Sequence, residues 1–246
     1  EPSLLLYLKS YIVEHIILGG QEVASYRIGI DVGGTFTDLV LLNEESGEVH
    51  HSKVLTSYPI PTEGVLRALD RALEETGVAS NNVKIILHGT TIATNSLLQR
   101  RGARTALITT EGFRDVLEIG RQIRPSLFDW RAEKPPSLAP RRYRFELHER
   151  VLADGSVMVE PSDEDYEEVV EKTLASKPEA VAVSLLFSFL NSTHEERLLE
   201  ELHKRQPDLA VSLSSHVLPE YREFERTSTT VANAFTTPVL TNYSAK

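Results

Sequence analysis

The sequence predicts an α/β protein that opens with three antiparallel strands and continues as strand–helix units with parallel strands. Three observations carry this. An apolar run over 27–42 is interrupted once, by a glycine pair, so two strands are joined through a tight turn. From residue 62 onward, helix-spaced segments alternate with short apolar runs, the order of βαβ units. The 246 residues are 41% hydrophobic and 25% charged, a globular composition with enough chain for one large or two small domains.

Taken in order, residues 1–25 form an N-terminal extension. Leu4 to Leu18 is apolar but too short to span a bilayer, carries Lys9, Glu14 and His15, and is not followed by a small-residue cleavage site. It reads as a packed or interfacial helix, or as upstream extension. Arg27 to Val32 and Asp38 to Asn43 are strands, Glu44 to Gly47 a turn, and Val49 to Thr56 a third strand; the phosphate hairpin proper is 27–56. After Pro59-Ile60-Pro61, Thr62 caps a helix whose apolar positions are Val65, Leu66, Leu69 and Leu73, stopped by Gly77. Val83 to Leu87 is a buried strand, followed by a helix through Leu98. Thr105 to Thr109 is a strand, and Thr110 caps a helix through Phe113, Val116 and Leu117, closing the βα units of 62–121. The proline-rich stretch 123–142, with Trp130, is a long ordered loop. Tyr143 to Val151 and Ser156 to Glu160 flank Asp154-Gly155 as a hairpin, so 123–160 is loop and hairpin. The βα units of 162–235 follow. Ser162 caps a helix with Val169, Val170 and Leu174 inward, and Ala180 to Phe187 is a strand. Ser192 and Glu195 make a capping box, Ala210 to Leu213 is a strand, and Glu220 to Phe235 is a last helix with Pro238 beyond it.

The formal net charge of −10 repels nucleic acid and anionic membrane unless basic residues cluster. The trios Arg100, Arg101, Arg104 and Arg141, Arg142, Arg144 read as solvated faces. With no cysteine, disulfides, thiol nucleophiles and cysteine zinc sites are excluded, which is compatible with a cytoplasmic location. The eight histidines show no metal constellation; His50 and His51 point to opposite faces of one strand.

The stretch RIGIDVGGTFTDLVLL at 27–42 is the candidate functional element. Dinucleotide and P-loop sites need a helix after the glycines. Here the β-branched and aromatic residues that follow favour a strand, and neither the GxGxxG spacing nor a GK[ST] lysine is present. A hairpin can still hold phosphate. Gly33 and Gly34 allow close backbone approach and positive φ, their N–H groups form an anion nest, and Thr35 and Thr37 add hydroxyl donors. Asp31, acceptor-only when ionised, cannot face phosphate unaided and implies Mg2+. Asp38 orients Thr35, caps the turn or joins the metal shell. A plain turn, with both aspartates accepting backbone N–H groups, stands beside this reading.

DVGGTFTD at 31–38, HGTTIATNSLL at 88–98, EGFRDVLEIGRQIRP at 111–125, LLFSFLNSTHEERL at 185–198 and VLPEYREFERTSTTVANAF at 217–235 resemble the N-terminal region of the hydantoinase A/5-oxoprolinase family. The resemblance covers about 27–240 and makes 26–246 the family region. It implies an actin-like ATPase (ribonuclease H-like) lobe in which the hairpin grips phosphate and ATP lies between two lobes. It implies ATP-driven opening of a cyclic amide such as a hydantoin or 5-oxoproline, with ATP and Mg2+ as cofactors and Asp31 and Asp38 as catalytic residues. Two other readings stay open: the nucleotide-handling subunit of an ATP-dependent ketone carboxylase, and a non-catalytic binding lobe. No second DxGG-like segment follows residue 38, so the expectation is an N-terminal fragment of a two-lobed protein. Its partners would be a C-terminal lobe or a hydantoinase B-type subunit, with homo-oligomerisation left open.

His88, Thr90, Thr91 and Asn95 follow an apolar strand, a common place for site residues in open α/β sheets. His88 reads either as a proton-transfer or metal residue or as a bonded core histidine, and Thr91 as a helix cap. The resemblance favours the cleft for Thr90, Thr91 and Asn95. Arg114, Arg121 and Arg124 sit near a helix end, where arginine complements the dipole; Arg121 is also a candidate for a substrate carboxylate. Glu220, Glu223, Glu225, Arg222 and Arg226 read as surface ion pairs of the last helix, with an acid/base couple as the rival reading.

Overall fold

The computed structural model describes residues 25–57, 61–123, 126, 128–129 and 131–244. Almost all of the N-terminal extension, Arg124 and Trp130 lie outside this range. The described residues fall into two compact units, within 1–99 with 240–246, and within 100–239. The division falls inside the stretch 62–121.

In the first unit, β1 (Tyr26–Val32), β2 (Phe36–Asn43) and β3 (Val49–Leu55) are consecutive antiparallel strands, as expected, and β4 (Val83–Thr90) runs parallel to β1. The order is β3-β2-β1-β4. Ile28, Ile30 and Val32 alternate inward on β1 and meet Leu39 and Leu41 of β2. Helix α1 (Pro61–Thr76) covers this face with Ala68 and Ala72, and Val65 and Leu69 pack beside them. Its first residue is Pro61, ahead of Thr62, since proline at a helix start lacks only an N–H that has no intrahelical acceptor. Leu66, another apolar position of this helix, is 60% exposed. β4 is not the buried strand its apolar run suggested: as an edge strand it leaves Ile86 and Leu87 46% and 42% exposed. Helix α2 (Ile92–Gln99) follows it.

The second unit has a parallel sheet of β5 (Thr105–Thr110), β6 (Arg144–Leu147), β9 (Ala180–Ser184) and β10 (Ala210–Leu213), in the order β10-β9-β5-β6. Both faces are buried, which is why β5 and β9 read as continuous apolar runs. Ala106, Ile108, Val181 and Val183 face α4 (Asp163–Ala175) and α5 (Thr193–Arg205) through Val169, Val170, Leu198 and Leu202. On the other face, Leu107, Ala180 and Ala182 meet Val231 and Ala234 of α7 (Glu223–Ser244). Two short helices, α3 (Val116–Ile119) and α6 (Ser214–Val217), complete the set.

Several expected elements change here. Thr110 caps no helix: it ends β5, its hydroxyl bonds to Glu149, and α3 begins only after Asp115. Residues 143–151 are not one hairpin arm. β6 pairs in parallel with β5, and the hairpin is the shorter β7 (Arg150–Val151) with β8 (Val157–Val159), turned by Gly155 at φ 83°. The Ser162 cap is a full capping box with Asp165. The box expected at Ser192 and Glu195 does not form. Ser192 is αR and bonds to Glu196, while the buried Glu195 carboxylate accepts from Leu185 N, Ser214 Oγ and Ser215 N at 2.9, 2.7 and 2.9 Å. Pro238 lies inside α7, which runs on to Ser244. Arg226 is no surface ion pair: it is 1% exposed and donates to Leu185 O at 2.6 Å. Arg144 is no solvated face; it donates to Ala139 O at 2.8 Å and to Glu118 Oε1 at 2.7 Å.

Candidate functional site

The β1–β2 connection is a strand-turn-strand hairpin of three residues, Gly33, Gly34 and Thr35, closed by Gly33 N–H donating to Phe36 O at 2.9 Å. No helix follows the glycines. Neither glycine has φ in the left-handed region, so positive φ is not what requires them. Space is. A Cβ on Gly33 would stand 3.1 Å from Phe36 O, and one on Gly34 would stand 3.2 Å from Asn95 Nδ2.

Asn95 reaches the turn because β4 runs parallel to β1 and pairs Val32 with Thr90. Thr90 Oγ1 donates to Val32 O at 3.3 Å and accepts from Ile92 N at 3.2 Å. Thr91 N–H donates to Val32 O at 3.2 Å, and Asn95 Nδ2 donates to Thr91 Oγ1 at 3.1 Å. Thr90, Thr91 and Asn95 therefore tie the first turn of α2 to the end of β1, beside the glycine pair. Thr35 is exposed at the turn. Thr37, expected as a phosphate donor, is fully buried instead, and its hydroxyl lies 3.2 Å from Thr56 Oγ1.

Asp31 and Asp38 are directly opposite across β1 and β2. They alternate with the inward Ile30, Val32, Leu39 and Thr37, so they leave the side covered by α1. Asp31 is exposed and enters none of the salt bridges of the described residues. Asp38 accepts from Lys53 Nζ at 2.7 Å rather than from Thr35. Both aspartates line an open cleft of about 400 Å³ with Gly29, Val40, Leu87, His88 and Gly89. Burial pushes the half-buried His88 imidazole below its ordinary range, and the Asp31 carboxylate pulls it partly back.

Arg121 belongs to the second unit, where its Nε donates to Glu225 Oε1 at 2.6 Å. Arg114 Nε lies 3.9 Å from Glu146 Oε2. Two residues of the first-unit site were not singled out from sequence. Lys53 could have been found, because a hairpin turning at 44–48 sets Asp38 opposite Lys53. Tyr243, whose hydroxyl meets His88 Nε2 at 2.6 Å, carries no local signal, since it depends on α7 continuing past Pro238.

Among the described residues no group of three or more His, Asp or Glu side chains could hold a metal. No helix among them is long and apolar enough to cross a membrane.

The description of the hydantoinase/oxoprolinase N-terminal region matches residues 27–205. The chain belongs to this family. An uncharacterised protein of Methanocaldococcus jannaschii is 41% identical over 90% of this chain and 32% of its own length. Caprolactamase subunit alpha of Pseudomonas jessenii is 31% identical over 89% of this chain and 32% of its own. The crystal structure of that ATP-dependent caprolactamase superposes with a TM-score of 0.78 over 89% of this chain and 32% of the other. The acetophenone carboxylase gamma subunit of Aromatoleum aromaticum is 34% identical over 85% and 30%. The chain thus spans about a third of the length of these relatives. The α/β architecture, with its antiparallel opening and parallel units, is the family's.

Proposed function

We propose that this chain is the nucleotide-binding part of an ATP-dependent cyclic-amide hydrolase. The observation that carries the reading is the hairpin itself: a glycine pair kept bare by close neighbours, with an exposed carboxylate on the strand leading into it. An amide carbonyl is a poor electrophile. Moving the γ-phosphoryl of ATP to its oxygen releases ADP and opens the carbon to water. Addition of water and departure of the ring nitrogen as an amine break the C–N bond, and a second water hydrolyses the acyl phosphate left behind to carboxylate and inorganic phosphate. Positioning and charge neutralisation supply most of the rate of such a transfer.

The residues fit a nucleotide with Mg2+. Gly33 and Gly34 let phosphate oxygens approach the backbone, and Thr35 offers an exposed hydroxyl. Magnesium is commonly bound through one or two carboxylates plus phosphate and water. Asp31 is the uncommitted carboxylate, and Asp38 becomes a second one if it exchanges Lys53. The ion would neutralise phosphate charge beside Asp31. Asn95 lies beside Gly34, and Thr90 and Thr91 tie the start of α2 to the end of β1. Arg121, paired with Glu225, has no part in this reading.

The test is the Asp31→Ala variant of the whole protein. ATP-dependent ring opening should fall by about 10²-fold or more, the scale of a lost charge-stabilising group. Unchanged turnover removes Asp31 from the site. Calorimetry of this chain with Mg-ATP tests intrinsic binding; silence there favours a lobe that handles nucleotide only with the rest of the protein. The likeness to an acetophenone carboxylase subunit favours a second reading, the nucleotide-handling subunit of a ketone carboxylase. ATP consumption that requires both bicarbonate and a ketone would select it.

A further inference from the structure

Tyr243 stands in the last turn of α7, within the segment 240–246 that groups with the first unit. Its ring stacks on His88, with centroids 5.7 Å apart and planes at 25°. Its hydroxyl oxygen lies 2.6 Å from His88 Nε2. One of those two atoms carries the shared proton. A phenol is a stronger acid than a neutral imidazole N–H, and the bare imidazole nitrogen is a better acceptor than a phenol oxygen. The O–H therefore donates to Nε2. A neutral imidazole has one N–H, so its proton sits on Nδ1. The stacked ring restrains the imidazole plane, and the hydrogen bond opposes a ring flip.

We propose that Tyr243 is a positioning residue that holds His88 as the Nδ1–H tautomer, making it a neutral hydrogen-bond donor to a phosphoryl oxygen in the cleft it shares with Asp31. The ligand half of this rests on the phosphate reading of the hairpin. The chemistry suits the place. Two carboxylates line the cleft and repel phosphate, so donors are needed there. A cationic histidine would compete with a metal for Asp31, whereas a neutral N–H adds a donor without doing so.

The first arm of the test needs no ligand. In the chain labelled with 15N-histidine, long-range 1H–15N spectra report the tautomer, and the His88 signals are those missing from His88→Gln. The expected pattern is protonated Nδ1 and bare Nε2. In Tyr243→Phe, which keeps the stack and loses the hydroxyl, it should relax toward the Nε2–H form that free imidazole side chains prefer. Protonated Nε2 in the parent chain, or an unchanged pattern in Tyr243→Phe, overturns the proposal.

The second arm is Mg-ATP binding by calorimetry. Tyr243→Phe should weaken it by about five- to tenfold, the scale of one neutral hydrogen bond. An asparagine amide places its N–H near the Nδ1 position and a glutamine amide near Nε2, so His88→Asn should bind more tightly than His88→Gln. The reverse order overturns the donor role. If the whole protein shows the Nδ1–H pattern but takes up no Mg-ATP, the phosphate reading is overturned, and with it the ligand given to His88, while the tautomer lock stands.

Discussion

A Cβ at Gly102 would meet the buried Phe235 ring at 2.3 to 2.6 Å, closer than any side chain can sit. The ring is buried in the second unit, so making room for the methyl disturbs its packing and Gly102→Ala should cost about 1–3 kcal/mol, as overpacked cores do. At Gly29, on the phosphate strand, the same methyl would meet nothing within 4 Å. Gly29→Ala should leave stability within about 0.5 kcal/mol. Urea unfolding of both variants separates a glycine kept for space from one that is not. His194 is the residue-scale lever on pH. Its imidazole is 3% exposed, with Nδ1 3.1 Å from Glu149 Oε2 and Nε2 3.5 Å from Glu160 Oε2. The hydrogen bond it donates to the Glu149 carboxylate raises its pKa above the ordinary 6.5, against the opposing effect of burial. A group whose folded pKa is raised stabilises the fold fully below its unfolded pKa and loses that contribution as pH rises through the folded value. Stability should therefore decline as pH climbs above 6.5. The exposed His148, raised by its hydrogen bond with Glu111, acts in the same direction, so the difference between the parent chain and His194→Gln is the quantity to measure. A parent slope that His194→Gln leaves unchanged would remove His194 from this role.

At the scale of elements, the two serine caps make a matched pair. Ser162 and Asp165 exchange both bonds of a capping box at the start of α4. Ser192 makes no cap bond at the start of α5. Ser162→Ala should cost about 1 kcal/mol and Ser192→Ala a few tenths, read from thermal unfolding midpoints. The two sites look alike in sequence because the capping rule sees four residues. What decides the second is Glu195, drawn inward by Leu185 N, Ser214 and Ser215, groups from other elements. The same distinction runs through the fold. β1 to β3, β5 and β10 were legible because alternation, apolar runs and turn residues such as Gly33, Gly34 and Gly47 lie within them. The burial of Arg144 and Arg226 was not, since their acceptors include the carbonyls of Ala139 and Leu185, brought near by folding. Strand choice was not legible either: β6 pairs with β5 across a proline-rich stretch that carries no periodicity. In the site, the glycine pair and the two aspartates could be read locally. The inward turn of Thr37 and the reach of Tyr243 to His88 depend on where Thr56 and the end of α7 come to lie.

Across the whole molecule, the two units differ in how they are made. The first is discontinuous, closed by residues 240–246, while the second is the single stretch 100–239. Of the three buried clusters among the described residues, the second unit holds two, one on each face of its sheet. A continuous chain with a parallel sheet buried on both faces has what independent folding requires. Every residue proposed for phosphate or its metal lies in the first unit: Asp31, Asp38, Gly33, Gly34, Thr35 and His88, with Asn95 beside the turn and Tyr243 behind His88. A chain of residues 100–239 alone should then unfold in one cooperative transition and give no heat with Mg-ATP, while the intact chain gives heat that Asp31→Ala abolishes. Nucleotide binding by the 100–239 chain would move the site out of the hairpin, because no part of the glycine turn or its aspartates would be present to account for it.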